Sequence, residues 1–364
     1  MPVKNQKMAL PVFDPKTRVN KSPHIVILGA GASKASFPNG DRNEIPIPLM
    51  NDLIEKIGLT DLLKSAKIKS FDKNFEEIYD ELCKLPHQTK VLDAIKEKIY
   101  RYFTQMDLPE ELTIYDKLIL SLREKDLIAT FNWDPLLLLA YKRNYLAFEK
   151  TGYLICFPTL AFLHGNVGVG ICSNDRVAGY SEALCSKCAR PLEPVELLYP
   201  ITNKNYDSDS FIKSEWANLR NYLQGAYFIT IFGYSAPKAD VAAKEIMRTI
   251  WDKNRTKTLA EIEIIDVKPN EELYKSWKEF IVRSHYMIHS EFDESHLAKF
   301  PRRTCEVLAN RTLQLIPSEE NAIPKDLTLE EFHKWLIPLL DEEREYSKTG
   351  KGFRLLPYDK MIKQ

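Results

Sequence analysis

Apolar and polar positions change rhythm repeatedly along this chain, and each rhythm predicts an element. His24 to Leu28 is a short β-branched run that breaks at once into Gly29-Ala30-Gly31-Ala32-Ser33, a strand entering a glycine turn and then a helix. From 45 to 112 the spacing is helical: Leu53, Ile54 and Ile57, then Phe75, Ile78, Tyr79, Leu82 and Leu85, then Val91, Leu92, Ile95, Ile99, Tyr102 and Phe103. Gly58 reads as a stop for the first of these helices, and Asn74 with Glu77 as a start for the second. Strand and helix then alternate. A helix over Thr113 to Arg123 leads to a strand Leu127 to Phe131, which stops at Asn132-Trp133-Asp134-Pro135, where the next helix begins. An apolar run from Tyr153 to Leu163 ends at His164-Gly165, and a Gly- and Cys-bearing irregular segment follows to about Pro200. Next come a helix carrying Phe211, Ile212, Trp216, Leu219 and Leu223, a strand Tyr227 to Phe232, the turn Gly233-Tyr234-Ser235, a helix to about Trp251 and a strand Glu261 to Val267.

This alternation predicts an α/β domain with a largely parallel sheet over 23–270, with a helical insertion over about 45–112 and an irregular Cys-bearing segment over about 166–200. Residues 1–22 are polar, Lys-bearing and without period, and are expected to form a flexible arm. Residues 271–364 return to mainly helical spacing. There Thr328-Leu329-Glu330-Glu331 is a capping box, and Leu329, Phe332, Trp335, Leu336, Leu339 and Leu340 make one apolar stripe with Pro338 as its kink. The stripe predicts packing on the body or on a second subunit.

Composition narrows the picture. A hydrophobic fraction of 44%, with 17 Phe, 17 Tyr and 5 Trp in 364 residues, supplies a substantial core and excludes disorder throughout. The 51 Lys and Arg balance 51 Asp and Glu, so binding of nucleic acid through bulk positive charge is unsupported, leaving only a local patch over Lys64 to Lys73. Six cysteines are too few for a disulfide scaffold, and the start of the chain lacks a signal-peptide core, so a reducing cytoplasm is the expected compartment. The uncharged stretch Gly152 to Cys172 is interrupted by Pro158, His164 and Asn166, and reads as strand and loop, with no membrane partner expected.

Candidate chemistry collects at strand ends. Glycines after a strand let backbone N–H groups approach a pyrophosphate, although Gly29-x-Gly31-x-Ser33 lacks a third glycine and also suits an ordinary tight turn. Asn132-Trp133-Asp134, His164-Gly165, Gly233-Tyr234-Ser235 and Asp266 each follow an apolar run, and a parallel sheet would bring them to one edge with the glycine turn. Simpler roles stand beside these. Asp134 before Pro135 suits a helix N-cap, Ser235 before Pro237 has the same ambiguity, and Asp240 either caps a helix or faces the site. His164 alone suits a buried core histidine. His285, His289 and His296 lack carboxylates at helix-face spacing and read as solvated or packing histidines. Asn132 fits neither core nor cap.

In order, Gly29-Ala30-Gly31-Ala32-Ser33, Thr130-Phe131-Asn132-Trp133-Asp134, His164-Gly165 and Gly233-Tyr234-Ser235, with Asp266 at a later strand end, resemble the motifs of the sirtuins, and more closely the SIR2-like domains of bacterial antiphage defence. The resemblance spans about residues 23 to 270. It implies a Rossmann-like, sirtuin-type fold and NAD⁺ as substrate. Asn132 and His164 would be catalytic. Gly29, Ala30, Gly31, Ala32, Ser33, Asp134, Gly233, Ser235 and Asp266 would bind the dinucleotide, its pyrophosphate on Ala30 to Ser33 and its nicotinamide amide on Asp134. Two departures turn the expectation away from protein deacylation: Phe131 replaces a glutamine, and the GIPDFR block is absent, with only Asp41-Arg42 similar. The insertion and Leu197 to Lys204 resemble the defence branch, implying hydrolysis of NAD⁺ to nicotinamide and ADP-ribose, under control of a homo-oligomer or a defence partner protein. An NAD⁺-dependent deacylase and a non-catalytic NAD⁺ or ADP-ribose-binding module are the alternatives. Cys172 with Cys185-x-x-Cys188 resembles a reduced form of the sirtuin zinc module, with Cys156 or Asp175 as a possible fourth ligand to a structural zinc.

Overall fold

The fold is that of a computed structural model, which describes residues 13–14, 16–66, 68, 73–153, 155–201, 206–207, 209–236, 240–254, 256–282, 284–312 and 319–353. Six strands form its central sheet: β1 (His24–Leu28), β2 (Leu127–Thr130), β3 (Thr159–Phe162), β4 (Phe228–Phe232), β5 (Glu261–Ile265) and β6 (His285–His289). Their order is β6-β5-β4-β1-β2-β3 and every pairing is parallel. The chain builds outward from β1 through β2 to β3, then crosses to the other side of β1 for β4, β5 and β6. The order therefore reverses between β1 and β4. Open α/β sheets hold their ligands at such a reversal, outside the carboxyl ends of the strands.

Both faces of the sheet are covered, which is why its strands read as continuous apolar runs. Ile25, Ile27, Ile229, Ile231, Ile262 and Ile264 pack with Trp216, Trp251 and Trp277 from the helices Ser210–Leu223, Val241–Trp251 and Asn270–Ile281. Val26, Leu28, Ile128, Phe232 and Ile265 face the opposite core, which the helical insertion completes. That insertion contains helices Leu53–Ile57, Thr60–Ser65, Phe75–Lys84 and Thr89–Thr104. Gly58 ends the first in the left-handed region, at φ 71°, and the Asn74 side chain accepts from the Glu77 N–H at the start of the third, as the sequence predicts.

Two features depart from the sequence reading. The sheet has a sixth strand, β6, beyond the boundary drawn at residue 270. Residues 13–14 and 19–20 pair as a small antiparallel ladder, and the Asn20 N–H donates to Glu306, so this part of the expected flexible arm is held on the body. The stretch read as strand and loop holds the four-residue β3. The C-terminal helix Leu329–Thr349 runs through Pro338 and buries Phe332, Leu336, Leu339 and Leu340 against Leu120 and Phe148, so the stripe packs on the body. Among the described residues, no helix is long and apolar enough to cross a membrane. Residues 202–204 of the defence-like segment, and 67 and 69–72 of the Lys-rich patch, lie outside the described residues.

Candidate active site

The turn after β1 and the turn after β4 touch backbone to backbone at the reversal. The Gly31 N–H donates to the Gly233 carbonyl at 2.9 Å, and the Gly29 N–H donates to the Phe232 carbonyl at 3.0 Å. Gly233 sits at φ 58°, and a Cβ there would lie 2.1 Å from the Ala32 nitrogen, so both conformation and space require glycine. The Ala32 N–H is also engaged, donating to the Gly29 carbonyl. Within the expected phosphate cradle over Ala30 to Ser33, the Gly31 and Ala32 N–H groups thus have partners within the protein.

Polar side chains knot this turn to the end of β2. Ser33 Oγ donates to Asp134 Oδ2 at 2.7 Å and lies 2.7 Å from the Tyr115 hydroxyl. The Asn132 amide donates to the Gly29 carbonyl and to Ser33 Oγ, each at 2.9 Å. Asn166 in turn donates to the Asp134 carbonyl at 2.6 Å. All five side chains are buried. Burial pushes the Asp134 carboxyl up to about 6, against the lowering by Ser33 and by the Leu136 N–H, and it pushes the Tyr115 hydroxyl well above its usual range. Asp134 Oδ1 accepts from the Leu136 N–H in the first turn of helix Leu136–Lys150, as the capping reading expects, while Oδ2 holds the glycine turn through Ser33.

His164 belongs to a second, adjoining cluster. Its Nε2 lies 3.7 Å from Asp240 Oδ1, and its ring meets Phe131 edge-on at 4.8 Å. Phe131 stacks on Tyr234 at 4.2 Å, and the Tyr234 hydroxyl donates to Asp240 Oδ2 at 3.0 Å. Asp240 flanks helix Val241–Trp251 but makes no side-chain capping bond, so it faces the site. Asn132 and His164 follow neighbouring strands yet share no hydrogen bond, since alternation sends Phe131 to His164 and Asn132 to Ser33. Asp266 directly follows β5 at the same edge, where it accepts from the Lys268 N–H and joins neither cluster. Ser235 follows the Gly233 turn, and Pro237 lies outside the described residues. Tyr115 and Asn166 were not singled out in the sequence. Asn166 stands two residues after His164, whereas Tyr115 lies on helix Ile114–Leu120 with no motif around it.

The Cys-bearing segment forms a three-stranded antiparallel ladder, Ala178–Tyr180, Val169–Ile171 and Glu193–Pro194. Around it Cys172, Asp175, Cys185 and Cys188 bring four ligand atoms within 4.8 Å of one another. Cys172 Sγ lies 3.6 Å from both Cys188 Sγ and Asp175 Oδ2. These separations suit a tetrahedral ion with metal–sulfur bonds of about 2.3 Å, so the donor set fits zinc. Asp175, not Cys156, completes the group.

No protein-family model matches the chain, and no curated protein matches it. Solved structures do. A Sir2 homologue in complex with NAD is 16% identical with a TM-score of 0.36, over 84% of this chain and 96% of that one. A Sir2 bound to acetylated peptide is 14% identical at 0.35, over 80% and 92%. A structure concerned with the mechanism and regulation of Sir2 enzymes is 14% identical at 0.38, over 81% and 95%.

Proposed function

We propose that the chain is an NAD⁺ glycohydrolase, acting in antiphage defence by depleting NAD⁺. The supporting observation is the convergence of Gly29 to Ser33, Asn132 and Asp134 at the strand-order reversal, with His164 and Asp240 beside them. Hydrolysis forms a bond from water oxygen to the ribose anomeric carbon. The carbon–nitrogen bond breaks toward nicotinamide, and the water loses a proton. His164 has the chemistry to take that proton, and Asp240 at 3.7 Å favours the imidazolium that results. Asn132 positions the ribose or the water, and Asp134 accepts from the nicotinamide amide. Because unchecked loss of NAD⁺ would harm the host, control by an oligomer or a partner protein is part of the proposal. Phe131, committed to Tyr234 and His164, stands where deacylases carry glutamine and favours hydrolysis over acyl transfer.

The test is release of nicotinamide and ADP-ribose from NAD⁺ with and without an acetyl-lysine peptide. Peptide-independent product is expected, falling about 10²–10⁴-fold in His164→Ala and Asn132→Ala. Product only with peptide would make the chain a deacylase. Binding without product, including in the presence of candidate partners, would make it a binding module.

A further inference from the structure

Away from the reversal, the buried carboxylate of Glu263 is held by hydrogen bonds at both oxygens and faces two imidazoles through one of them. Its Oε2 accepts from Thr230 Oγ1 at 2.9 Å. Thr230 is held by His24 Nε2 at 2.8 Å, and His24 Nδ1 meets Thr304 Oγ1 at 2.9 Å. Because Thr230 donates to Glu263, it accepts from His24, which fixes His24 as the Nε2–H tautomer with Thr304 donating to Nδ1. This chain of bonds orients the carboxylate as an outer shell orients a metal ligand.

Oε1 accepts from the His296 backbone N–H at 2.7 Å and also faces His289 Nε2 at 3.5 Å and His296 Nδ1 at 3.4 Å. Both nitrogens are buried, His296 being 6% exposed, and among the described residues neither has a hydrogen-bond partner beyond these ion-pair contacts with Glu263. The three donor atoms lie within 4.8 Å of one another. Donors about 2.0–2.2 Å from a tetrahedral ion stand about 3.3–3.5 Å apart, the spacing found here from the carboxylate to each ring. We infer that Glu263, His289 and His296 form a binding site for a divalent cation of the zinc class, separate from the cysteine cluster. Two imidazoles and a carboxylate are borderline donors that suit zinc over magnesium or calcium. The ligands come from β5, the end of edge strand β6 and the helix His296–Lys299, so the ion would pin the sheet's edge.

One group competes. Arg311 Nη1 donates to His296 Nε2 at 3.1 Å, which keeps the proton on Nδ1. Metal on Nδ1 moves that proton to Nε2, and Arg311, 38% exposed along its side chain, has Glu261 Oε2 at 3.6 Å to turn toward.

The full chain carrying Cys185→Ser and Cys188→Ser, stripped with a chelator, is titrated with zinc and with cobalt(II) alone. One equivalent of zinc is expected, with cobalt bands lacking thiolate charge transfer. His289→Ala and His296→Ala should each weaken binding by about 10²-fold or more, and Arg311→Ala should leave it as tight or tighter. No stoichiometric metal in the cysteine variant, or unchanged affinity in His289→Ala, overturns the site. Should the cysteine substitutions unfold the chain, the wild type serves: two spectrally distinct cobalt sites support the inference, and a single thiolate site refutes it.

Discussion

Asp134 is 4% exposed, and its carboxyl is pushed up to about 6 by burial. A carboxylate whose folded value exceeds its unfolded value adds stability at low pH and loses it as pH rises through the folded value. The window runs from about pH 4 to 6, and the difference corresponds to about 3 kcal/mol. Asp134→Asn should remove this downward slope in denaturant-unfolding measurements; an unchanged slope would mean that the carboxyl titrates normally. His24 works in the opposite direction, because burial lowers it to about 4 and its neutral ring links Thr304 to Thr230. Its contribution is present above about pH 6.5 and is lost as pH falls through about 4. Removing it as His24→Leu should flatten the acid side of the stability profile while lowering stability at neutral pH. The two groups were unequally legible. Asn132 and Asp134 showed in the sequence because polar residues interrupt an apolar run there. Tyr115 and Glu263 did not, since their partners come from strands and helices far along the chain.

Elements with local signals were read well. The Asn74 cap, the Gly58 stop and the Thr328 capping box are each satisfied by backbone groups within three residues, so no tertiary knowledge was needed. β6 was missed because His285-Tyr286-Met287-Ile288-His289 has neither the alternation nor the β-branched content of the inner strands; pairing with β5 makes it a strand. Two elements invite direct tests. Gly233→Ala places a methyl 2.1 Å from the Ala32 nitrogen at φ 58°, so it should destabilise the chain by several kcal/mol or abolish soluble expression. Wild-type stability in that variant would show that the two turns do not meet. Leu336, fully buried on the inner face of the C-terminal helix, should cost about 2–5 kcal/mol as Leu336→Ala. A loss below about 0.5 kcal/mol, the range of surface sites, would place that helix elsewhere.

At the scale of the molecule, the alternation of strands and helices predicted a parallel sheet, and the sheet is parallel throughout. What the pattern could not give was strand order, because runs such as His24 to Leu28 and Phe228 to Phe232 carry the same apolar signal wherever they pair. That order also sets how the chain must assemble. β1 lies at the centre, yet Val26 meets Thr230 of β4 across roughly 200 residues of intervening sequence. At translation speeds of roughly 5–20 residues per second, the nascent chain exposes one side of its central strand for roughly 10–40 seconds before β4 emerges. Until then an apolar, unpaired edge faces the cell, and the reversal that houses the candidate site is among the last parts of the molecule to exist.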